Sequence, residues 1–125
     1  MPTFEFRGAP YNHPVELALD VIGGKWKMLI LWRLARRIWR YGELRRDLGR
    51  VTHKMLTQQL RELEADGLLR RTVYPEVPPR VEYAITRLGR SALPAIEALR
   101  IWGTRYRRQS RGPAVTPLRQ PRRRM

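Results

Sequence analysis

Residues 51–85 read VTHKMLTQQLRELEADGLLRRTVYPEVPPRVEYAI. In the first half, Leu56, Leu60 and Leu63 fall at i, i+4 and i+7, the spacing that lines one face of an α-helix with apolar side chains. Thr52 stands where an N-cap hydroxyl accepts an orphan amide, and Gly67 supplies a left-handed stop, so the pattern predicts a helix ending at Asp66. In the second half two short β-prone runs, LLRRTVY and RVEYAI, flank the turn PEVPP. Val81, Tyr83 and Ile85 alternate with Arg80, Glu82 and Ala84, the period of a half-buried strand. Pro75, Pro78 and Pro79 stiffen the tip and keep that edge from pairing with other sheets. A helix with an uncommitted polar face therefore runs directly into a hairpin carrying arginine.

Working outward, a helix over 41–48 is predicted from Leu44 and Leu48, four apart on one face, with Gly49, Arg50 and Val51 as the turn that follows. Helix, turn, helix and hairpin make a winged helix-turn-helix: a mainly α fold with a small β-wing, of α+β class. His13-Pro14 opens an earlier helix, Pro14 being acceptable at its first position. Its apolar residues occupy two sides, Val15, Ala18, Leu19 and Ile22 on one and Leu17 and Val21 on the other, so it is covered from two directions. Gly23-Gly24 ends it. Residues 25–36 hold eight apolar residues in the ten from Trp26 to Ala35, the mark of a central core helix. Residues 36–40 read as a connector with a short extended piece. Thr86 caps a last helix reaching about residue 106, kinked at Pro94. Its stripe of Leu88, Ala92, Ile96, Leu99 and Trp102, together with the two-sided first helix, would leave a large apolar patch on a single subunit. A homodimer built on Val15, Leu19, Leu88, Ala92, Ile96, Leu99 and Trp102 is the expectation. Residues 1–12 read as a flexible arm and 13–106 as the domain. Residues 107–125, with seven arginines, three prolines and no acidic residue, read as a disordered basic tail.

A chain of 125 residues with 42% hydrophobic content is enough for one small packed domain. Its 26 Lys and Arg against 11 Asp and Glu give a formal net charge of +15, which points to a polyanionic partner. No apolar run exceeds the five residues from Met28 to Trp32, so no bilayer span is expected, and 1–14 lack the order of a signal peptide. A cytoplasmic location follows as an expectation. The absence of cysteine excludes disulfides, thiolate zinc sites and thiol redox chemistry in this sequence.

Opposite or flanking the leucine stripe lie His53, Lys54, Thr57, Gln58 and Arg61. Gln forms a bidentate pair with adenine and Arg with guanine, while Thr offers a hydroxyl and a methyl, so this face suits the major groove of double-stranded DNA. With Thr52 they form the predicted DNA-contacting set. Arg80, beside the wing tip, is placed for an adjacent minor groove or a phosphate. Lys25 and Lys27 at the start of the second helix, and Arg45 and Arg46 on the third, are candidate backbone contacts. Glu62, Glu64 and Asp66 are expected to pair with Arg61, Arg70 and Arg71. His13 and His53 are the only histidines and have no ligand cluster around them, so no metal is expected and His13 reads as a helix-start residue. Gly23-Gly24-Lys25 lacks the earlier glycine and the following Ser or Thr of a phosphate loop. Neither Ser91 nor Ser110 lies in a G-x-S-x-G turn, and no catalytic constellation or cofactor motif emerges. A small-molecule effector would find room between the first, second and last helices, near Trp26, Trp32 and Trp102, although aromatics at helical spacing read first as core.

The blocks PVELALDVIGGKWKMLIL, YGELRRDL, THKMLTQQLRELEADGLLRRTVYPEVPPRVEYAIT and LGRSALPAIEALRIWG resemble the HxlR-type winged helix-turn-helix transcription regulators, relatives of the MarR superfamily. The resemblance spans about 13–103. It implies a homodimer, built largely from the first and last helices, that binds a palindromic operator and governs neighbouring genes. Many members carry a cysteine just before the PV of the first helix and some sense oxidants through it; His13 stands there in this chain, so thiol sensing does not carry over. Two readings of other classes stay open on the residues alone. One is a nucleic-acid binder acting by charge without sequence preference; the other is a winged helix that docks an acidic protein.

Overall fold

A computed structural model describes residues 3–110. The sequence-predicted helices and wing are present, and they enclose a core assembled around one central helix. Strands β1 (Phe4–Phe6) and β2 (Ala9–Tyr11) form an antiparallel hairpin. Helices α1 (Pro14–Ile22), α2 (Lys27–Leu34), α3 (Tyr41–Leu48) and α4 (His53–Ala65) follow, with the short strand β3 (Trp39–Arg40) preceding α3. Strands β4 (Leu69–Tyr74) and β5 (Arg80–Ile85) make the wing, and α5 (Arg87–Arg90) and α6 (Leu93–Gln109) close the described chain.

Helix α2 is the hub, packing against α3, α4, α6 and β5. Ile30, Leu31 and Leu34 from α2 meet Leu44 and Leu48 from α3 and Leu56, Leu60 and Leu63 from α4, all buried. The wing sheet runs β3-β5-β4, antiparallel throughout, with Leu69 opposite Ile85, Arg71 opposite Tyr83 and Val73 opposite Val81. The expected extended piece in the connector is β3; pairing with β5 sets Trp39 opposite Tyr83, and both residues are buried.

Local signals account for the helix ends. His13 is the N-cap of α1: its Nδ1 accepts from the Val15 amide at 3.1 Å, while Glu16 Oε1 accepts from the amide of His13 at 3.3 Å and of Asn12 at 2.6 Å. Thr52 caps α4 through Oγ1 with the Met55 amide at 3.0 Å. Gly67 takes φ +81 just past the end of α4, where only glycine adopts that turn without strain.

Four expectations change. The arm at 1–12 holds a β-hairpin over residues 4–11, tied by Tyr11 Oη to Asp20 at 2.8 Å and by Arg7 to Asp66 at 2.7 Å. The last helix is two helices, because Pro94 stands in the first turn of α6, where its missing N–H is no loss, and produces no interior kink. Helix α6 also continues past residue 106 to Gln109. The basic tail, apart from its first residues in α6, lies outside the described residues. Finally, Ile96 is not on the outer stripe. It is 7% exposed and belongs to the subunit's own core, with Ala92 packed partly against it.

The α5 turn is held close to the wing. A Cβ at Gly89 would sit 2.1 Å from the Leu68 carbonyl oxygen and 2.8 Å from Ile85 Cγ1. Gly89→Ala is expected to destabilise the chain by more than about 2 kcal/mol, as overpacking against backbone does. Gly42→Ala on α3, where the nearest atom is an Arg46 side-chain nitrogen at 3.5 Å, should be neutral to stabilising by about 0.5 kcal/mol. Denaturant unfolding of the two variants checks the contrast.

Candidate nucleic-acid interface

Burial of Leu56, Leu60 and Leu63 settles which way α4 faces. At 3.6 residues per turn, the side opposite these leucines carries Lys54, Gln58 and Arg61, and all three are exposed. His53 and Thr57 lie on the flank nearest the wing, and Glu62 on the flank nearest α2. The structure therefore brings five of the predicted base-reading residues, His53, Lys54, Thr57, Gln58 and Arg61, onto one surface. Thr52 stands at its head, with its hydroxyl committed to the cap.

The angle between α3 and α4 is fixed by more than the leucines. The Tyr41 hydroxyl lies 2.5 Å from His53 Nδ1, with the rings edge to face at 5.4 Å. His53 is thus engaged from α3 through Nδ1, which leaves Nε2 as its outward nitrogen. At the start of α3, Glu43 accepts from the Arg40 amide at 3.0 Å and from Arg37 at 3.2 Å. Those two donors, the amide first, hold its carboxyl below the ordinary range.

A groove of about 450 Å³ separates α4 from the wing, walled by Leu60, Val81 and the rings of Tyr41 and Tyr83, with Arg61, Glu64 and Arg71 at its rim. Arg71 was not among the predicted contacts. Its position follows from strand period: Leu69 points inward, so Arg71 two residues on shares that face and leans toward α4. Burial pushes the Tyr83 hydroxyl up, with Arg71 beside it acting in the opposite sense.

Several predicted contacts stand elsewhere. Lys27 is no backbone contact: it is buried at 6% exposure, and its Nζ pairs with Glu62 Oε1 at 2.7 Å. A lysine at a helix start normally reaches water, whereas here the first turn of α2 lies beneath α4. Lys25 remains exposed, its amine 4.8 Å from the centre of the Trp26 ring. Arg45 and Arg46 are exposed on the last turn of α3, where their charge also complements the helix dipole. Arg80 folds back over Tyr74, 4.0 Å from the ring centre, between Glu76 and Glu82 at 3.3 Å each. Its Nε is buried and makes no well-directed hydrogen bond, so Arg80 is held by stacking and charge instead of extending from the tip. The tip itself is cation-free and carries Val77 fully exposed.

The expected acidic pairings also differ. Glu62 bonds Lys27 and Gln58, and Asp66 bonds Arg7, in place of Arg61, Arg70 and Arg71. Trp26 and Trp32 pack against the core while Trp102 stands 62% exposed and stacks on Tyr106, so the three tryptophans do not wall a shared cavity. An apolar cleft of about 330 Å³ lies instead between the hairpin, α1, α5 and α6, lined by Phe6, Ala18, Val21, Leu68, Leu88 and Ala95 among others. Among the described residues no group of three or more His, Cys, Asp or Glu side chains could hold a metal, and no helix is long and apolar enough to cross a membrane.

A helix-turn-helix whose second helix turns a Lys, Gln and Arg face outward beside a two-stranded wing defines a winged-helix transcription regulator. The chain belongs to the HxlR-like helix-turn-helix family, whose profile matches residues 21–111. An HTH-type transcriptional regulator of Methanothermobacter thermautotrophicus is 51% identical over 96 residues, covering 77% of this chain and 73% of that protein. YtcD of Bacillus subtilis, also an HTH-type transcriptional regulator, is 51% identical over 96 residues, 77% of this chain and 76% of its own. A crystal structure of ytcD superposes with a TM-score of 0.72 at 49% identity, over 76% of this chain and 97% of that one. The redox regulator HypR in its oxidized form gives a TM-score of 0.70 at 48% identity, over 74% of this chain and 95% of its own.

The Lys27–Glu62 pair generates a pH prediction. Hydrogen bonds from Lys27, first, and from Gln58 hold the Glu62 carboxyl below its ordinary value of 4.5. A carboxyl lowered on folding contributes stability that is present above the unfolded value and lost as pH falls through the folded one. Glu62→Gln is therefore expected to be less stable than wild type at pH 7, with the gap closing as pH drops below about 4. Thermal unfolding of both proteins across pH 3–7 measures it.

Proposed function

We propose that this chain is a sequence-specific, double-stranded-DNA-binding transcriptional regulator that acts as a homodimer on a palindromic operator. The observation that carries this reading is the outward face of α4, where Lys54, Gln58 and Arg61 are exposed while the opposite face is locked into the core. Two-fold subunits would set these faces in successive major grooves, roughly 34 Å apart. Arg61 with Arg71, across the groove, supplies charge on the wing side, and Lys25, Arg45 and Arg46 are assigned to the phosphate backbone. Arg80 joins them only if a phosphate displaces Glu76 and Glu82. Regulation of DNA would place the protein in the cytoplasm. Thiol oxidation is not the signal: the sequence has no cysteine, and His13, at the position of interest in the family, is spent as a helix cap.

Dimerisation rests on the apolar side chains left uncovered. Val15, Leu19, Leu88, Leu99, Trp102 and Tyr106 are each more than half exposed, and α1 buries none of its residues within the subunit. Such a surface calls for a partner, and α1 with α6 in a second copy is the cover that matches it.

Two outcomes test this. Gln58→Ala should weaken binding to a selected operator by about 1–3 kcal/mol and relax preference at one base pair per half-site, whereas Arg71→Ala should weaken all duplexes alike and reduce the salt slope by about one; fluorescence anisotropy across salt concentrations separates the two, and unchanged selectivity in Gln58→Ala contradicts its assignment. In sedimentation, wild type at micromolar concentration should run as a dimer and Trp102→Glu as a monomer, so a stable wild-type monomer would remove the two-fold arrangement.

A further inference from the structure

Gln58 does not stand free on the outer face of α4. Its Nε2 donates to Glu62 Oε2 at 3.1 Å, one turn further along the helix. The second oxygen of the same carboxylate, Oε1, accepts from Lys27 Nζ at 2.7 Å. The lysine side chain is 8% exposed and the glutamate 43%, so one end of this chain of contacts lies in the subunit interior and the other on the DNA-facing surface. Lys27, Glu62 and Gln58 thus form a continuous line from the first turn of α2 to the middle of the outward face.

We infer that Glu62, anchored by Lys27, is the positioning residue that fixes which way the Gln58 amide faces and so makes Gln58 a reader of adenine and not guanine. The inference rests on the DNA-binding reading and deepens it. An ionised carboxylate accepts hydrogen bonds and cannot donate, so only the NH2 end of the amide can face Glu62; the flipped amide would set Oε1 against a carboxylate oxygen. With one N–H held by Glu62, the outward side of the amide presents Oε1, an acceptor, beside the remaining N–H. Adenine offers the complement in the major groove, the N6 amino donor next to the N7 acceptor. Guanine offers two acceptors, O6 and N7, and needs two donors; a free amide can aim both its N–H groups at them, but one whose N–H is held by Glu62 cannot. Lys27 matters because a glutamate on an exposed flank samples many rotamers, and the nearly buried ammonium at 2.7 Å confines it to one.

The test is selection from a duplex library with randomised half-sites, using the full chain as wild type, Gln58→Ala, Glu62→Gln, Lys27→Met and the double variant Lys27→Met/Glu62→Gln. The double variant removes both charges together, so neither is left buried and unpaired, and its thermal transition establishes that it is folded. Wild type should favour adenine over guanine by about tenfold at the one position that Gln58→Ala relaxes. In Glu62→Gln and in the double variant, whose neutral residue accepts or donates equally well, that ratio should fall below about twofold, with Lys27→Met between them and wild type. All other positions should keep their wild-type preferences, which a general loss of fold would not allow. An unchanged ratio in the folded variants, or a uniform loss of affinity at every position with the ratio intact, overturns the positioning role while leaving DNA recognition standing. Failure of wild type to enrich any sequence overturns both.

Discussion

The seating of three leucines decides what the rest of this protein presents to its surroundings. Leu56, Leu60 and Leu63 of α4 are buried against Ile30, Leu31 and Leu34 of α2. Each fully buried leucine is worth about 1.5–3 kcal/mol relative to an exposed one, so rotating α4 by even a quarter turn forfeits more than any polar contact on its flanks returns. The outward direction of Lys54, Gln58 and Arg61 is therefore a by-product of core packing, and the caps at Thr52 and Gly67 only mark where the helix starts and stops. Against that scale the Lys27–Glu62 pair contributes little to holding α4 in place. A half-exposed carboxylate is screened by water, and burying the lysine costs desolvation that the pair must offset before it adds anything. Apolar side chains at both positions together would serve packing as well. What an apolar pair could not do is hold the Gln58 amide in one orientation, and that separates a structural ion pair from a positioning one.

Most of the fold was legible because its signals are local. The i, i+4, i+7 leucines, the Thr52 and Thr86 caps, the Gly67 stop and the period-two wing each depend on residues within a few positions of one another, and the structure reproduces them. The features that the sequence hid depend on which elements cross. The hairpin over residues 4–11 has Pro10 in its second strand and is too short to announce itself; its cross-links reach to Asp20 and to Asp66, at the far end of α4. The burial of Lys27 follows from the crossing of α2 under α4, and the inward turn of Ile96 from α6 starting afresh at Leu93, which rotates the stripe that a single kinked helix would have carried. Arg71 was recoverable from alternation alone, yet an arginine beside Arg70 in a basic chain reads as surface charge until the opposite strand and α4 define an inner face.

The wing shows how net charge misleads about local field. A chain with a formal charge of +15 still has a tip without cations, and its nearest arginine, Arg80, lies between two glutamates. Drawing Arg80 out to a phosphate means giving up its stacking on Tyr74 and both carboxylates, so the net gain is far smaller than for an unpaired arginine. On the proposed docking, the positive field that a duplex would meet first comes from Lys54 and Arg61 on α4 and from Arg70 and Arg71 on β4, all exposed and, among the described residues, none held in an ion pair of the kind that clamps Arg80. Affinity in this protein is accordingly expected to reside on the helix and the base of the wing.

The surface assigned to the second copy shares no residue with the surface assigned to DNA. Val15 and Leu19 belong to α1, Leu99, Trp102 and Tyr106 to α6, and the set assigned to the bases to α4. Both surfaces can then be occupied together, as an operator-bound dimer demands. A helix the length of α1 is only marginally stable by itself in water. In the single subunit it is held by its capping box, by Tyr11 on Asp20 and by the partly buried Val21 and Ile22, with Val15 and Leu19 turned outward. Covering that side with a second copy would stabilise α1 and, through the Arg7–Asp66 contact just beyond the end of α4, tie the proposed dimer interface to the helix assigned to DNA. That route runs through one hairpin, one ion pair and one helix end.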